Sequence, residues 1–318
     1  MENKDPEEEV EVYERKPRLL YVMQFLVFIG LAFMGAYLFH MIAVAVLKPF
    51  TEYPFVPDQL EFFRDSSNIR YFWIYQGIVS IGTFGFPCLV FPLYHRERPL
   101  EYLGIKERPS LKIIGFAILL ILLSQPLVTW IAVQNSSFSL PPGMEEIQEQ
   151  LDRLHHSMTE LQKLVTSGTG PLDLLMTLLV MAVIPAILEE LFFRKAMLRI
   201  LYDISRNSHV SIVLSSLLFA LVHGEIYYFM PLFAMGLMLG YLALFSGNIW
   251  IPIVAHFINN ALAVVQMKML QRYPDTELLR EEYQFPLVFI LLSALCVIGL
   301  MWLIKRHSNS IEDGKGLD

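Results

Sequence analysis

Glu189 and Glu190 stand side by side in the run Pro185-Ala-Ile-Leu-Glu-Glu-Leu-Phe-Phe-Arg-Lys195, with Arg194 four residues after the second glutamate. The surrounding stretch is apolar enough to cross a bilayer, where an ionised group costs about 3 kcal/mol or more unless it is paired or lines a wet cavity. Residues that persist at that cost mark function. Two further apolar runs carry polar groups at helical spacing: Phe219 and His223 in Phe219-Ala-Leu-Val-His223, and His256 and Asn260 in His256-Phe-Ile-Asn-Asn260. Residues four apart share one face of a helix.

Three chemistries fit this set. One carboxylate can act as a general base that activates water, with His and Asn donors stabilising the oxyanion of a tetrahedral intermediate. Alternatively Glu189, His223 and His256 can hold a zinc ion with water in the open position, the other glutamate serving as base. A proton or ion relay of a transporter is the third. In each, an ion pair between Glu190 and Arg194 at the i, i+4 spacing leaves Glu189 free to react.

The elements that must position these residues are membrane helices. Of the 318 residues, 55% are hydrophobic and 17% charged, with a mean hydropathy of +0.48, which is outside the usual range of soluble domains. The expected fold is all-α, a polytopic membrane protein with about eight transmembrane helices, near 19–47, 71–94, 111–134, 172–204, 208–224, 230–246, 250–268 and 285–305. Residues 1–18 read as an acidic cytosolic tail, 19–170 as N-terminal spans with an external amphipathic segment over 144–165, 171–268 as the core carrying the polar residues, and 269–318 as a last span and tail. Basic clusters at 15–18, 96–112, 194–206 and 305–306 fall on one side of this arrangement, which predicts both termini in the cytosol. A tight turn at 203–208 puts Glu189 and His223 seventeen residues to either side of position 206, and therefore at equal height if both helices are regular.

These residues resemble a known family. Glu189-Glu190-Leu-Phe-Phe-Arg194 is similar to the EExxxR motif, Phe219 to His223 to FxxxH, and His256 to Asn260 to HxxxN of the CAAX protease and bacteriocin-processing family, also called Abi, which includes the type II CAAX prenyl endopeptidases. The three occur in family order on successive helices, over about residues 174–265. The resemblance implies an α-helical intramembrane endopeptidase, with a catalytic cavity open to the cytosol and a peptide or membrane-anchored protein as substrate. It implies that Glu189 activates water, that His223 assists, that His256 and Asn260 serve water positioning and the oxyanion site, and that Glu190 and Arg194 organise the first helix. Members are widely labelled metalloproteases, yet similar enzymes have been interpreted as glutamate proteases. Lacking an HExxH zinc half-site, this chain favours the reading without a cofactor, with zinc on Glu189, His223 and His256 as the alternative.

The rest of the sequence is less specific. Its net charge of −7 comes mostly from residues 2–14 and 145–160, a distribution that does not suit nucleic acid and leaves the lipid bilayer and the substrate as expected partners. Cys88 and Cys296 lie in apolar runs and imply no disulfide framework. His155 and His156 are adjacent on the amphipathic segment, hence about 100° apart, and make a poor metal pair. Asn259 reads as a helix-helix hydrogen-bonding residue, and Gly236 with Gly240 as a close-packing pair. Glu225, Tyr227 and Tyr228 read as interface residues. The competing classes are a transporter, which would show a repeat and charges along a pathway, and a non-catalytic immunity or scaffold protein. The expected location is the bacterial inner membrane, and the motifs leave CAAX-type processing and peptide or bacteriocin maturation both open.

Overall fold

A computed structural model describes residues 17–51, 62, 68–280 and 283–315. The acidic tail ahead of Pro17 lies outside the described residues. Among the described residues, seven helices are long and apolar enough to cross a membrane: α1 (Arg18–Phe50), α2 (Ile69–Tyr94), α3 (Leu111–Ser136), α5 (Pro171–Ser205), α7 (Ile226–Ser246), α8 (Trp250–Arg272) and α9 (Leu287–Ser308). The eighth apolar helix, α6 (Ser208–Val222), has 15 residues. At 1.5 Å per residue it extends only about 22 Å, short of the ~30 Å hydrocarbon core. The amphipathic segment forms α4 (Glu145–Thr166). All regular structure among the described residues is helical.

Proline shapes two of the spans. Pro87 and Pro185 each lack an N–H and crowd the preceding turn, and in both cases a π turn sits just ahead of the proline, at Ile81–Gly85 in α2 and Leu179–Val183 in α5. A third π turn, Leu191–Met197, has no proline. There the buried Ser215 on α6 donates from Oγ to the Phe193 carbonyl at 3.0 Å, satisfying a backbone acceptor within the widened turn. Glu189 and Glu190 therefore end a short α-helical stretch, Ile184–Glu190, between two π turns.

The core around α5 is aromatic. Phe28 on α1 contacts Phe192 (ring centroids 4.7 Å), and Phe193 contacts Phe219 on α6 (5.3 Å). On the other side, α7 approaches α6 closely because Gly236 and Gly240 have no side chain; a Cβ on Gly236 would lie 2.9 Å from Ser216 Cβ, and one on Gly240 2.7 Å from Ile212 Cγ2. This is the packing role expected of a small-xxx-small pair.

The basic segments meet at one end of the bundle. Arg199 pairs with Glu97 (3.3 Å), Lys112 Nζ lies 2.7 Å from His307 Nε2, the Arg206 guanidinium stands over the Tyr21 ring, and Trp250 donates to the Ile105 carbonyl at 3.0 Å. Helix α4 lies toward the other end, attached to α7 and α8. Tyr227 donates from its hydroxyl to Asp152, and Gln148 Nε2 donates to the same carboxylate at 3.0 Å. These two bonds, the tyrosine's first, hold the Asp152 carboxyl below the usual carboxylate range. Because the folded value is depressed, this contribution is complete above the unfolded value of about 3.9 and disappears as pH falls through the folded one. The protection factors of amides 145–158, exchange rates corrected for the intrinsic pH dependence of amide exchange, are thus expected to be constant from neutrality to about pH 4 and to fall only below it, and Asp152→Asn is expected to remove that acid step. A loss of protection between about pH 7 and 5 that Asp152→Asn removes would contradict this attachment.

Candidate active site

α5 brings both glutamates to a buried interface with α6 and α8. Glu190 is fully buried, Arg194 is 5% exposed, His256 3% and Glu189 9%. Arg194 Nε lies 3.1 Å from Glu190 Oε2. The guanidinium also stands 4.6 Å from the centroid of the Phe219 ring and donates to the Gly236 carbonyl at 3.4 Å. A desolvated cation over an aromatic face gains about 2 kcal/mol, which offsets part of the cost of burying the pair.

His256 faces both carboxylates. Its Nδ1 is 2.8 Å from Glu190 Oε1, where an N–H donates to the carboxylate, and its Nε2 is 4.0 Å from Glu189 Oε2. Glu190 is thus engaged by a cation on one oxygen and an imidazole on the other. Neither Glu189 Oε2 nor Glu190 Oε2 accepts a hydrogen bond, but Glu190 Oε2 has the Arg194 guanidinium at 3.1 Å, whereas the nearest cationic or imidazole nitrogen to the buried Glu189 Oε2 is His256 Nε2 at 4.0 Å. Native structures satisfy most buried polar atoms, so a buried carboxylate oxygen with no close cation, next to one held by Arg194, is a site for an incoming donor.

His223 and Asn260 lie at the margin. His223 follows the last turn of α6 and is exposed; its Nδ1 is 2.7 Å from the Phe219 carbonyl and must donate, which in the neutral ring leaves Nε2 as an acceptor. Its ring contacts one side of Phe219 at 4.7 Å, while His256 meets the same ring at 5.8 Å. Phe219, not His223, is the α6 residue that packs against Arg194 at the glutamates. The symmetric count from position 206 assumed regular helices, but the π turn Leu191–Met197 takes up residues without the usual advance along the axis. His223 therefore stands about one turn beyond Phe219. Asn260 is one turn after His256 on α8 and half-buried, and accepts from Asn259 Nδ2 at 3.3 Å. Asn259 thus bonds its neighbour and not another helix, because its short amide reaches Asn260 first. No hydrogen bond joins His223 or Asn260 to Glu189 among the described residues.

The contacts do not supply a ready metal site. Among the described residues no three His, Cys, Asp or Glu side chains are grouped to hold a metal ion. Glu189, His223 and His256 are not grouped in this way, although both histidine rings contact Phe219. Every chemical step below is assigned to the chain's own groups.

Three contacts had little signal in the sequence. His256 to Glu190 needs the α5–α8 crossing, and the Gly236 carbonyl carries no side-chain cue. The third is the attachment of α4 beside His223: His155 Nδ1 lies 3.2 Å from Glu225 Oε1, and its ring contacts Tyr227 at 4.9 Å. Glu225 and Tyr227 thereby bind helix α4.

Comparison with known proteins agrees with this region. A family model described as "Type II CAAX prenyl endopeptidase Rce1-like" matches residues 171–262, from the start of α5 into α8 past Asn260. A protein of Bacillus subtilis (strain 168) named "Putative membrane peptidase YdiL" is 30% identical over 209 residues, covering 64% of this chain and 77% of the relative. No solved structure matches.

Proposed function

The chain belongs to the Rce1-like family of CAAX-type membrane peptidases, and on that premise we propose that it cleaves peptide bonds inside the bilayer with Glu189 as the base that activates water. The observation that carries this assignment is the difference between the two carboxylates: Glu190 lies 3.1 Å from Arg194 and 2.8 Å from His256, while the buried Glu189 Oε2 has only His256 Nε2 at 4.0 Å. Glu189 takes a proton from water as its oxygen bonds to the scissile carbonyl carbon. The oxyanion that forms is stabilised by donors on the α8 face, the Asn260 amide and His256 with both ring nitrogens protonated, since its Nδ1–H is already given to Glu190. The proton on Glu189 then passes to the leaving nitrogen as the C–N bond breaks. His223, with its Nε2 free to accept, assists in orienting the water.

In this reading Glu190 and Arg194 hold the site without touching substrate. Arg194 fixes the Glu190 carboxylate, and Glu190 fixes the His256 ring so that Nε2 faces Glu189. The end of the bundle with the basic clusters faces the cytosol of a bacterial inner membrane. The substrate is a peptide or membrane-anchored protein, since a buried site between spans is most readily reached by a chain already held in the bilayer.

The test is cleavage by the purified full-length protein in proteoliposomes, using a fluorogenic peptide library and a farnesylated CAAX peptide, with products identified by mass spectrometry. Hydrolysis of a backbone amide in either set, insensitive to added chelator, is expected. The absence of any cleavage over background, or activity recovered only with added zinc, would overturn the assignment.

A further inference from the structure

Helix α4 is attached very differently at its two ends. Its C-terminal half is anchored: Val165 is buried against Ile69, Trp73 and Val180, Lys268 Nζ donates to the Thr166 carbonyl at 3.0 Å, and Gln271 Nε2 donates to the Lys163 carbonyl at 2.9 Å. Its N-terminal half is held through side chains that meet the segment 225–228, by Gln148, Asp152 and His155. Ile147 and Leu154 in that half are 46% and 40% exposed, so little apolar burial retains it. It also follows Gly143, whose φ of +96° allows a turn that other residues resist.

The segment it grips adjoins the site. Glu225 is two residues after His223, so their Cα atoms are at most about 7 Å apart. Because α6 ends short at Val222, His223 is exposed at this end of the bundle, and α4 bridges from α7 to α8 beside it. An element anchored firmly at one end and latched by a few polar contacts at the other is suited to local opening at low cost.

We propose that the N-terminal half of α4 is a strap across the His223 mouth of the site, and that the peptide substrate enters when the Tyr227–Asp152 and His155–Glu225 latch releases. The proposal rests on the protease reading and adds an access route at the end opposite the basic clusters. Its apolar residues Ile147 and Leu154 would then border the entering chain.

The test uses the full-length protein in proteoliposomes, in a Cys296→Ser background that leaves the buried Cys88 in place. His155→Cys and Glu225→Cys are joined by a reducible bis-methanethiosulfonate linker, and cleavage of a lipid-anchored fluorogenic peptide is followed. Closing the link is expected to lower kcat/KM by roughly tenfold or more, and reductant to restore it. A linked protein that turns over like its reduced form sinks the proposal. Tyr227→Phe, which keeps the ring and loses the hydroxyl, supplies a second arm: faster hydrogen exchange of amides 145–158 and 221–226 is expected, with kcat/KM equal to or above wild type. Unchanged exchange in both segments would also overturn the strap. That exchange is read whether or not any peptide is cut, so failure of the protease reading and failure of the strap give different results.

Discussion

Glu189→Gln is expected to lower kcat by about 10²–10⁴-fold while leaving the protein folded, the range that loss of a positioned general base produces. Glu189 and Glu190 are adjacent carboxylates with nearly the same sequence context and different surroundings. Glutamine at 189 keeps the size and polarity of the side chain and removes only its ability to take a proton. Since Glu189 Oε2 has no hydrogen bond to lose, the substitution leaves no partner unsatisfied. The melting temperature should therefore stay within the small shifts of a neutral substitution, and KM should change little if the carboxylate acts mainly in the transition state. Steady-state cleavage of the reporter peptide, with thermal unfolding of the same preparation, checks both halves. Retained turnover would remove Glu189 as the base. A large loss of stability would show that its burial serves the fold.

Much of this site is written in local spacing, and the parts that are not share a physical reason. The helical period alone places Glu190 with Arg194 and His256 with Asn260 on common faces, and membrane energetics alone make the glutamates conspicuous. Apolar length likewise shows each of the eight helices, and the alternation over 144–165 shows α4 to within a residue at each end. Height between helices is harder to read. The count from the 203–208 turn overshoots because π turns arise from proline and from tertiary contacts such as Ser215 to the Phe193 carbonyl. Contacts that join distant segments, such as His256 to Glu190 or α4 to Tyr227, depend on crossing geometry that no single helix encodes.

Arg194→Met should be the most destabilising single change at the site, by about 3–5 kcal/mol, because it leaves the fully buried Glu190 carboxylate without its cation. Three kinds of contact are lost together: the ion pair with Glu190, the cation over Phe219 and the donor to the Gly236 carbonyl. If the charge is the dominant part, Glu190→Gln in the same chain should recover most of the loss, since the pair is then replaced by neutral groups of similar volume. If packing over Phe219 and the Gly236 contact dominate, the double variant should remain as unstable as Arg194→Met. Unfolding midpoints of wild type, both single variants and the double variant form a cycle that separates these terms. Stability and catalysis should part company in the double variant. Glutamine at 190 can still accept from His256 Nδ1 but carries no negative charge to hold an imidazolium, and without Arg194 its amide is free to turn its NH₂ toward that ring. His256 Nε2 would then no longer be fixed toward Glu189, so a refolded, stable double variant is expected to stay impaired in kcat with little change in KM. Recovery of stability and turnover together would mean that Glu190 and Arg194 are interchangeable with any well-packed pair, and that the orientation of His256 is set elsewhere.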